Sequence, residues 1–318
     1  MLLQIFKMIE PADDPVVYAI PFFFIAMGAE LFINWKEQRN LYERKEALAS
    51  IGMGIGSMVI DILMKGLALG TYYLIYNYYH LFNIGWQWWA WVLILFADDF
   101  TFYWHHRLSH EIRILWASHV NHHSAQKLNL ATALRQSWGE RLYEFFWWLW
   151  LPLVGFPPMM MMMMMSISLI YQYWCHTELI RKMPKWFELF FNTPSHHRVH
   201  HASNVRYLDQ NHAGILIIWD RMFGTFAAEK EEEKPVYGLT KNIHTYNLFK
   251  LASHEFFAIA QDVKRATKFT DKLKYIFYPP GWSHDGPDHR ARTLRKQLAL
   301  PDRQAGAQNK ALLLHSPD

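Results

Sequence analysis

The chain has 318 residues, 52% hydrophobic and 17% aromatic, with a formal net charge of +4. This composition is too apolar for an ordinary soluble domain and points to an all-α, polytopic membrane helical bundle with a polar cap. The single Cys175 excludes an internal disulfide and a cysteine-rich zinc site, and no basic run interleaved with stacking aromatics suggests a nucleic-acid surface.

Residues 1–14 are mixed, without a basic n-region or a small-residue cleavage motif, so no removable signal peptide is expected. A first apolar span runs from about Pro15 to Trp35, enough for one crossing at roughly 20 residues. Lys36, Arg39, Arg44 and Lys45 follow at once and assign that loop to the cytoplasm. The next apolar stretch runs from about Ala47 to Tyr79, with Gly52, Gly54 and Gly56 allowing close helix approach. Within it Asp61 and Lys65 stand four apart and are expected to neutralise each other.

A third span, about Trp86 to Trp104, opens with an aromatic belt and carries Asp98 and Asp99 near its end, either of which would orient a ligand imidazole or, as the alternative, serve as an interfacial polar residue. Residues 1–104 thus form an N-terminal set of transmembrane helices. Segment 105–141 is expected in the cytoplasm, and Leu142 to Tyr173, broken at Pro152 and Gly155-Phe-Pro157-Pro158, reads as a helical hairpin entering and leaving one face. An even number of crossings then separates residues 123 and 196, and both sides of the hairpin share one compartment. The Met159–Met165 run reads as membrane-helix filler, with a lipid tunnel lining as the alternative. Gly214 to Phe226 is too short to cross and is expected as a buried helix or turn; Glu229 to Lys234 reads as solvated surface. Residues 245–278 read as one or two amphipathic helices within a C-terminal region, 246–318, that ends in a polar tail.

Histidines carry the chemistry. Ten of the chain's 18 lie in His105-His106-Arg-Leu-Ser-His110, His119-Val-Asn-His122-His123 and His196-His197-Arg-Val-His200-His201. Three spaced sets emerge: His106/His110, His119/His122/His123 and His197/His200/His201. Positions three and four apart share a helix face, so each set is expected to aim at one point. Neutral imidazole suits iron, zinc, copper and nickel, and spacing does not choose among them. Eight nitrogens exceed the roughly four that one structural zinc takes, and so fit two metals in one cage. Glu111 and Glu178 are candidate acceptors behind these rings, with a surface role as the plainer alternative.

The HxxxH, HxxHH and HxxHH pattern on a membrane protein resembles the fatty acid hydroxylase/sterol desaturase superfamily. Leu115-Trp-Ala-Ser-His119-Val-Asn-His-His123-Ser, Asn129-Leu-Ala-Thr-Ala-Leu-Arg-Gln-Ser137, Asn192-Thr-Pro-Ser-His-His-Arg-Val-His-His201, Ile217-Ile-Trp-Asp-Arg-Met-Phe-Gly-Thr-Phe226 and Val236-Tyr-Gly-Leu-Thr240 are similar to its alkylglycerol monooxygenase branch. The resemblance covers about residues 90–245. It implies a fatty acid hydroxylase-type catalytic region, 105–245, containing the membrane hairpin at about 142–175. It also implies a membrane-bound non-haem di-iron oxygenase that hydroxylates a lipid C–H bond with O2; an ether lipid would then break into an aldehyde and a glycerol derivative. By motif, His106, His110, His119, His122, His123, His197, His200 and His201 would be iron ligands. Trp174-Cys-His176-Thr-Glu178 matches a further histidine of the branch and adds His176 as a ninth. His196 also matches, but His197 has the better spacing; His105 and His212 have no counterpart in the motif. Tetrahydrobiopterin donates the electrons in animal members, and another electron donor is the alternative here. The rival readings are a sterol desaturase, a fatty acid or carotenoid hydroxylase, a membrane metal transporter and a structural zinc protein.

Overall fold

The computed structural model describes residues 14–299, and among them the regular structure is helical, with no strand and only isolated antiparallel bridges such as Phe191–Leu216 and Ala202–Tyr237. Residues 1–13 and the tail from 300 onward, where the sequence suggested mixed and polar segments, lie outside the described residues.

Helix α1 (Pro15–Glu37) starts where Asp14 accepts from Val16 N–H and Pro15 supplies a preset φ; it stops at Gln38, which turns left-handed. Helix α2 (Arg44–Tyr79) is capped by Glu43, which accepts from the Lys45 and Glu46 amides. Among the described residues these two are the helices long and apolar enough to cross a membrane. At 36 residues, α2 is ~54 Å long by its rise per residue, against ~30 Å of hydrocarbon. Its first turns therefore extend beyond the apolar layer, and they pack on the cap. A Cβ on Gly54 would lie 2.6 Å from the Leu134 carbonyl oxygen, and one on Gly56 2.6 Å from the Trp138 ring. The glycines thus permit close approach, but of cap segments rather than of a second membrane helix.

Helix α3 (Trp88–Glu111) is continuous from the aromatic belt through the first histidine pair, and α4 (Arg113–His123) follows after one extended residue, Ile112. With Asp98 and Asp99 inside it, α3 does not reach the apolarity of α1 and α2. The broken apolar stretch is a hairpin with unequal arms. A 3-10 segment, Glu144–Trp148, and the short α5 (Trp150–Val154) form the first, and α6 (Pro158–Tyr173) forms the second. Gly155 makes the turn at φ +120°, where a Cβ would fall 1.8 Å from the Phe82 carbonyl oxygen. Leu81 and Phe82 amides donate to the Leu153 and Val154 carbonyls, clasping the α2–α3 loop to this turn. Met160, Met161 and Met164 sit in the largest apolar cluster with Tyr72, Ile94 and Leu151, so the methionine run is core filling.

Three carboxylate expectations are corrected here. Asp61 and Lys65 do not pair: Lys65 Nζ lies 2.7 Å from Asp14 and Asp61 lies 3.6 Å from Arg141, each side chain reaching a neighbouring segment. Asp98 accepts from Trp148 Nε1 at 2.7 Å, an indole rather than an imidazole. Asp99 accepts from the Ile215 and Leu216 amides and Trp219 Nε1, fixing the loop that precedes a short helix, Ile218–Phe223. Segment 214–226 is thus a turn and short helix, buried through Ile217 and at Asp220 but exposed over residues 221–224. The C-terminal amphipathic pair is Leu248–Arg265 and Phe269–Phe277, followed by a last helix, Ala291–Leu298.

Candidate metal centre

The first box rides on the last turns of α3, the second on α4, and the third on a short helix, α7 (Pro194–His200), whose N-cap Thr193 accepts from the His196 amide. Buried arginines fix the two later boxes. Arg135 donates to the Asn121 carbonyl and Ser124 Oγ at the end of α4. Arg198 donates to the Thr177 and Ile180 carbonyls and to Glu229, tying α7 to the chain leaving the hairpin. Glu229 therefore anchors a box instead of belonging to a merely solvated run.

Nine histidines converge, all buried, in two groups: His106, His110, His119, His123 and His200, then His122, His176, His197 and His201. Within each group one nitrogen per ring lies within 4.8 Å of all the others. Every candidate read from the boxes, with His176, falls in a group, while His105 and His196 fall in neither. The grouping corrects the expectation that each box aims at one point. His119 and His123 are four apart and share a face, whereas His122, about 100° round the helix, points to the other group. His200 likewise joins the first group while His197 and His201 join the second.

Backbone and carboxylate acceptors orient the rings. Nδ1–H of His106 donates to the His212 carbonyl at 2.8 Å, that of His122 to Arg135 at 3.3 Å, that of His176 to Gln172 at 3.0 Å and that of His200 to Gln210 at 3.0 Å. This leaves Nε2 as a lone pair facing the centre. These lone pairs then meet: His106 and His119 Nε2 lie 3.1 Å apart, His119 and His123 3.2 Å, His122 and His176 3.3 Å, His176 and His197 2.9 Å. His110 and His200 Nε2 have no partner. Opposed lone pairs and orphaned nitrogens in a dry interior are costly unless a cation lies among them. Burial keeps the rings neutral as ligands require, pushing His176 down to about 4 and His106, His110, His122, His123, His197, His200 and His201 well below the usual imidazole range. The donor set fits two ions.

The carboxylate behind the rings is Glu140. Its Oε2 accepts from His119 Nδ1 at 3.3 Å and its Oε1 lies 3.2 Å from His105 Nε2. Burial alone would raise the Glu140 pKa, but His119, His105 and Arg141 outweigh it and hold the carboxyl well below its ordinary range. Neither expected acceptor has this place: Glu111 pairs with Arg107 at 2.8 Å, and Glu178 accepts from the Tyr237 hydroxyl. Reading the sequence missed Glu140, although it and Glu111 are the acidic residues of segment 105–141.

A cavity of about 1240 Å³ opens onto His110, His123, His200 and His201. Trp116, Phe249, Phe257 and Trp282 give it apolar wall, and Arg113, Asp209 and Lys241 polar wall. Its roof comes from residues 238–291.

Residues 91–225 match the family model described as fatty acid hydroxylase. The chain is 41% identical over 285 residues to an alkylglycerol monooxygenase of Homo sapiens, covering 89% of this chain and 63% of that protein. The alkylglycerol monooxygenase of Xenopus tropicalis is 39% identical over 283 residues, with the same coverage. An ornithine lipid hydroxylase of Rhizobium tropici is 29% identical over 163 residues, 51% of this chain and 49% of that one. The chain thus spans less than two thirds of the length of these alkylglycerol monooxygenases. No solved structure matches.

Proposed function

Residues 91–225 match the fatty acid hydroxylase model, and from that likeness we propose that the chain is a membrane-bound, O2-dependent di-iron monooxygenase acting on an ether lipid of the alkylglycerol kind. The observation that carries this reading is the pair of imidazole clusters with their Nε2 lone pairs opposed. His106, His110, His119, His123 and His200 would hold one ion; His122, His176, His197 and His201 the other. When bound, two iron ions supply the O2 activation that hydroxylating an unactivated C–H bond requires.

The protein's part is positioning. Backbone acceptors on Nδ1 keep His106, His122, His176 and His200 in the ligating tautomer, and Glu140 does so for His119. The cavity admits the lipid, its alkyl chain along Trp116, Phe249, Phe257 and Trp282 and its polar end toward Arg113 and Lys241. One oxygen atom enters the C–H bond beside the ether oxygen, and the other leaves as water with two electrons and two protons from the donor. The resulting hemiacetal breaks into an aldehyde and a glycerol. In this arrangement the described part of 1–104 anchors the bundle, 105–245 hold the chemistry and residues 246–299 cover it, with the centre on the cytoplasmic side and a reduced pterin or another electron donor reaching it there. The transporter reading has less support. The donors lie at the foot of α3 and on short capping elements, not midway along the apolar helices where a transported ion would bind.

The test is metal content together with O2 uptake on detergent-solubilised protein, given alkylglycerol, sterol or fatty acid and a reductant. Two irons per chain with alkylglycerol-dependent O2 uptake and aldehyde release are expected, and His122→Ala or His200→Ala should abolish uptake and lower the iron. Metal-loaded protein inert toward every lipid would refute the oxygenase.

A further inference from the structure

His212 belongs to no histidine box, yet it is built into the centre. Its N–H donates to Asp220 Oδ1 at 2.8 Å, its carbonyl accepts from His106 Nδ1 at 2.8 Å, and the Ala213 amide donates to Asp220 Oδ2 at 2.8 Å. A backbone held on both sides leaves its ring little freedom.

That ring is 0% exposed, with its centroid 5.0 Å from His110 and 5.7 Å from both His106 and His200. Neighbouring rings within the first cluster lie 4.4 Å (His106–His200) to 5.3 Å (His106–His110) apart, so His212 adjoins three of them, just outside the group whose donor atoms lie within 4.8 Å of one another. Neither of its nitrogens has a hydrogen-bond partner, and the same holds for Nε2 of His110 and His200 beside it. The Asp209 carbonyl approaches the ring without reaching hydrogen-bond geometry. A neutral imidazole has one N–H and one lone pair, and a sealed ring that satisfies neither is poorly placed unless something binds it. His110 and His200 border the cavity, whereas His212 lies outside its lining and is closed off from bulk solvent.

We propose that His212 is a tenth imidazole of the centre, a further nitrogen donor to the transition-metal ion held by His106, His110, His119, His123 and His200. The inference rests on the di-metal reading. It makes the two sites unequal: the first ion is crowded by six imidazoles, and the second, with four, keeps room for an exogenous ligand.

Cobalt(II) is a suitable probe, since its visible absorption reports donor number. Wild type, His212→Phe, His212→Gly and, as a buried histidine outside both clusters, His196→Phe are loaded and then challenged with a chelator. Wild type and His196→Phe should bind two ions and release them alike. His212→Phe should still bind two but lose one at least ~10-fold faster, the lower end of what altered metal surroundings usually cost, with stronger visible bands. Added imidazole should return the His212→Gly spectrum and release rate to wild type, a rescue that a purely structural role would not give and one that carries the test if the Phe variant fails to fold. Wild-type release and absorption in the His212 variants overturn the inference while leaving the di-metal reading standing. Fewer than two ions in wild type overturns that reading itself.

Discussion

Glu140 has two imidazoles and a guanidinium around one buried carboxylate. Its hydrogen bond to His119 fixes the ring's tautomer and increases its basicity toward a metal. Glu140→Ala removes that acceptor and should weaken metal retention ~10- to 100-fold. Glu140→Gln keeps one acceptor oxygen and should fall between. Chelator competition on both variants measures this; equal retention by Ala and wild type would mean the carboxylate is only structural. Asp220 poses the same question for the backbone, since it accepts from the His212 and Ala213 amides and from Thr225 Oγ1. Asp220→Asn turns an NH2 toward those donors and leaves one unpaired, which should cost about 1–3 kcal/mol in thermal or denaturant unfolding. Such residues were hard to read from sequence for a physical reason. Ligand histidines announce themselves through local spacing, whereas Glu140 meets His119 from 21 positions away and Asp99 meets Ile215 from 116 away.

At the level of elements, spacing was informative about which histidines converge and misleading about how they divide. A box on one helix places His119 and His123 on one face and His122 off it, so one element contributes to both clusters. The single extended Ile112 breaks the chain between α3 and α4, so the first two boxes ride on separate helices. The hairpin was legible because Pro152, Gly155 and Pro157 interrupt an apolar run. The 3-10 character of its first arm was not, since residues 144–148 carry no signal against an α-helix. Gly155 is the residue that lets the turn meet the α2–α3 loop. Gly155→Ala must adopt φ +120° with a Cβ in the place of the Phe82 carbonyl. It should lower stability by about 1–3 kcal/mol from backbone strain alone, with the displaced Phe82 adding to it. Gly28→Ala in α1, where nothing lies within 4 Å, is the matched control and should change little. Comparable melting of the two variants in detergent would remove Gly155 from this role.

For the molecule as a whole, so many imidazoles sealed in one interior make the fold itself a pH-dependent object. Burial pushes His105, His176 and His196 each down to about 4, from an unfolded value near 6.5. Between those values the unfolded chain binds protons that the folded chain refuses, so their contribution to stability is complete above about pH 6.5 and is lost as the pH falls. Each costs ~1.4 kcal/mol per pH unit within that window, and three together remove ~4 kcal/mol by pH 5.5, a large part of an ordinary fold's 5–15 kcal/mol. The other clustered rings, displaced further, act in the same direction; Asp209 and Asp220, which burial raises to about 7, act against them in this window but are outnumbered. Glu140, whose pKa is depressed, also loses its contribution on acidification, but only below the unfolded carboxyl range, and it leaves this window untouched. Bound ions require neutral imidazoles and would be ejected by the same protons, steepening the loss. The melting midpoint of metal-free protein in detergent, measured from pH 8 to 5, should be level above about 7 and fall sharply below 6.5. Metal should raise it most at the neutral end. A midpoint that holds or climbs on acidification would mean the histidine interior is open to water and protons when empty, and that the metal, rather than the fold, closes it.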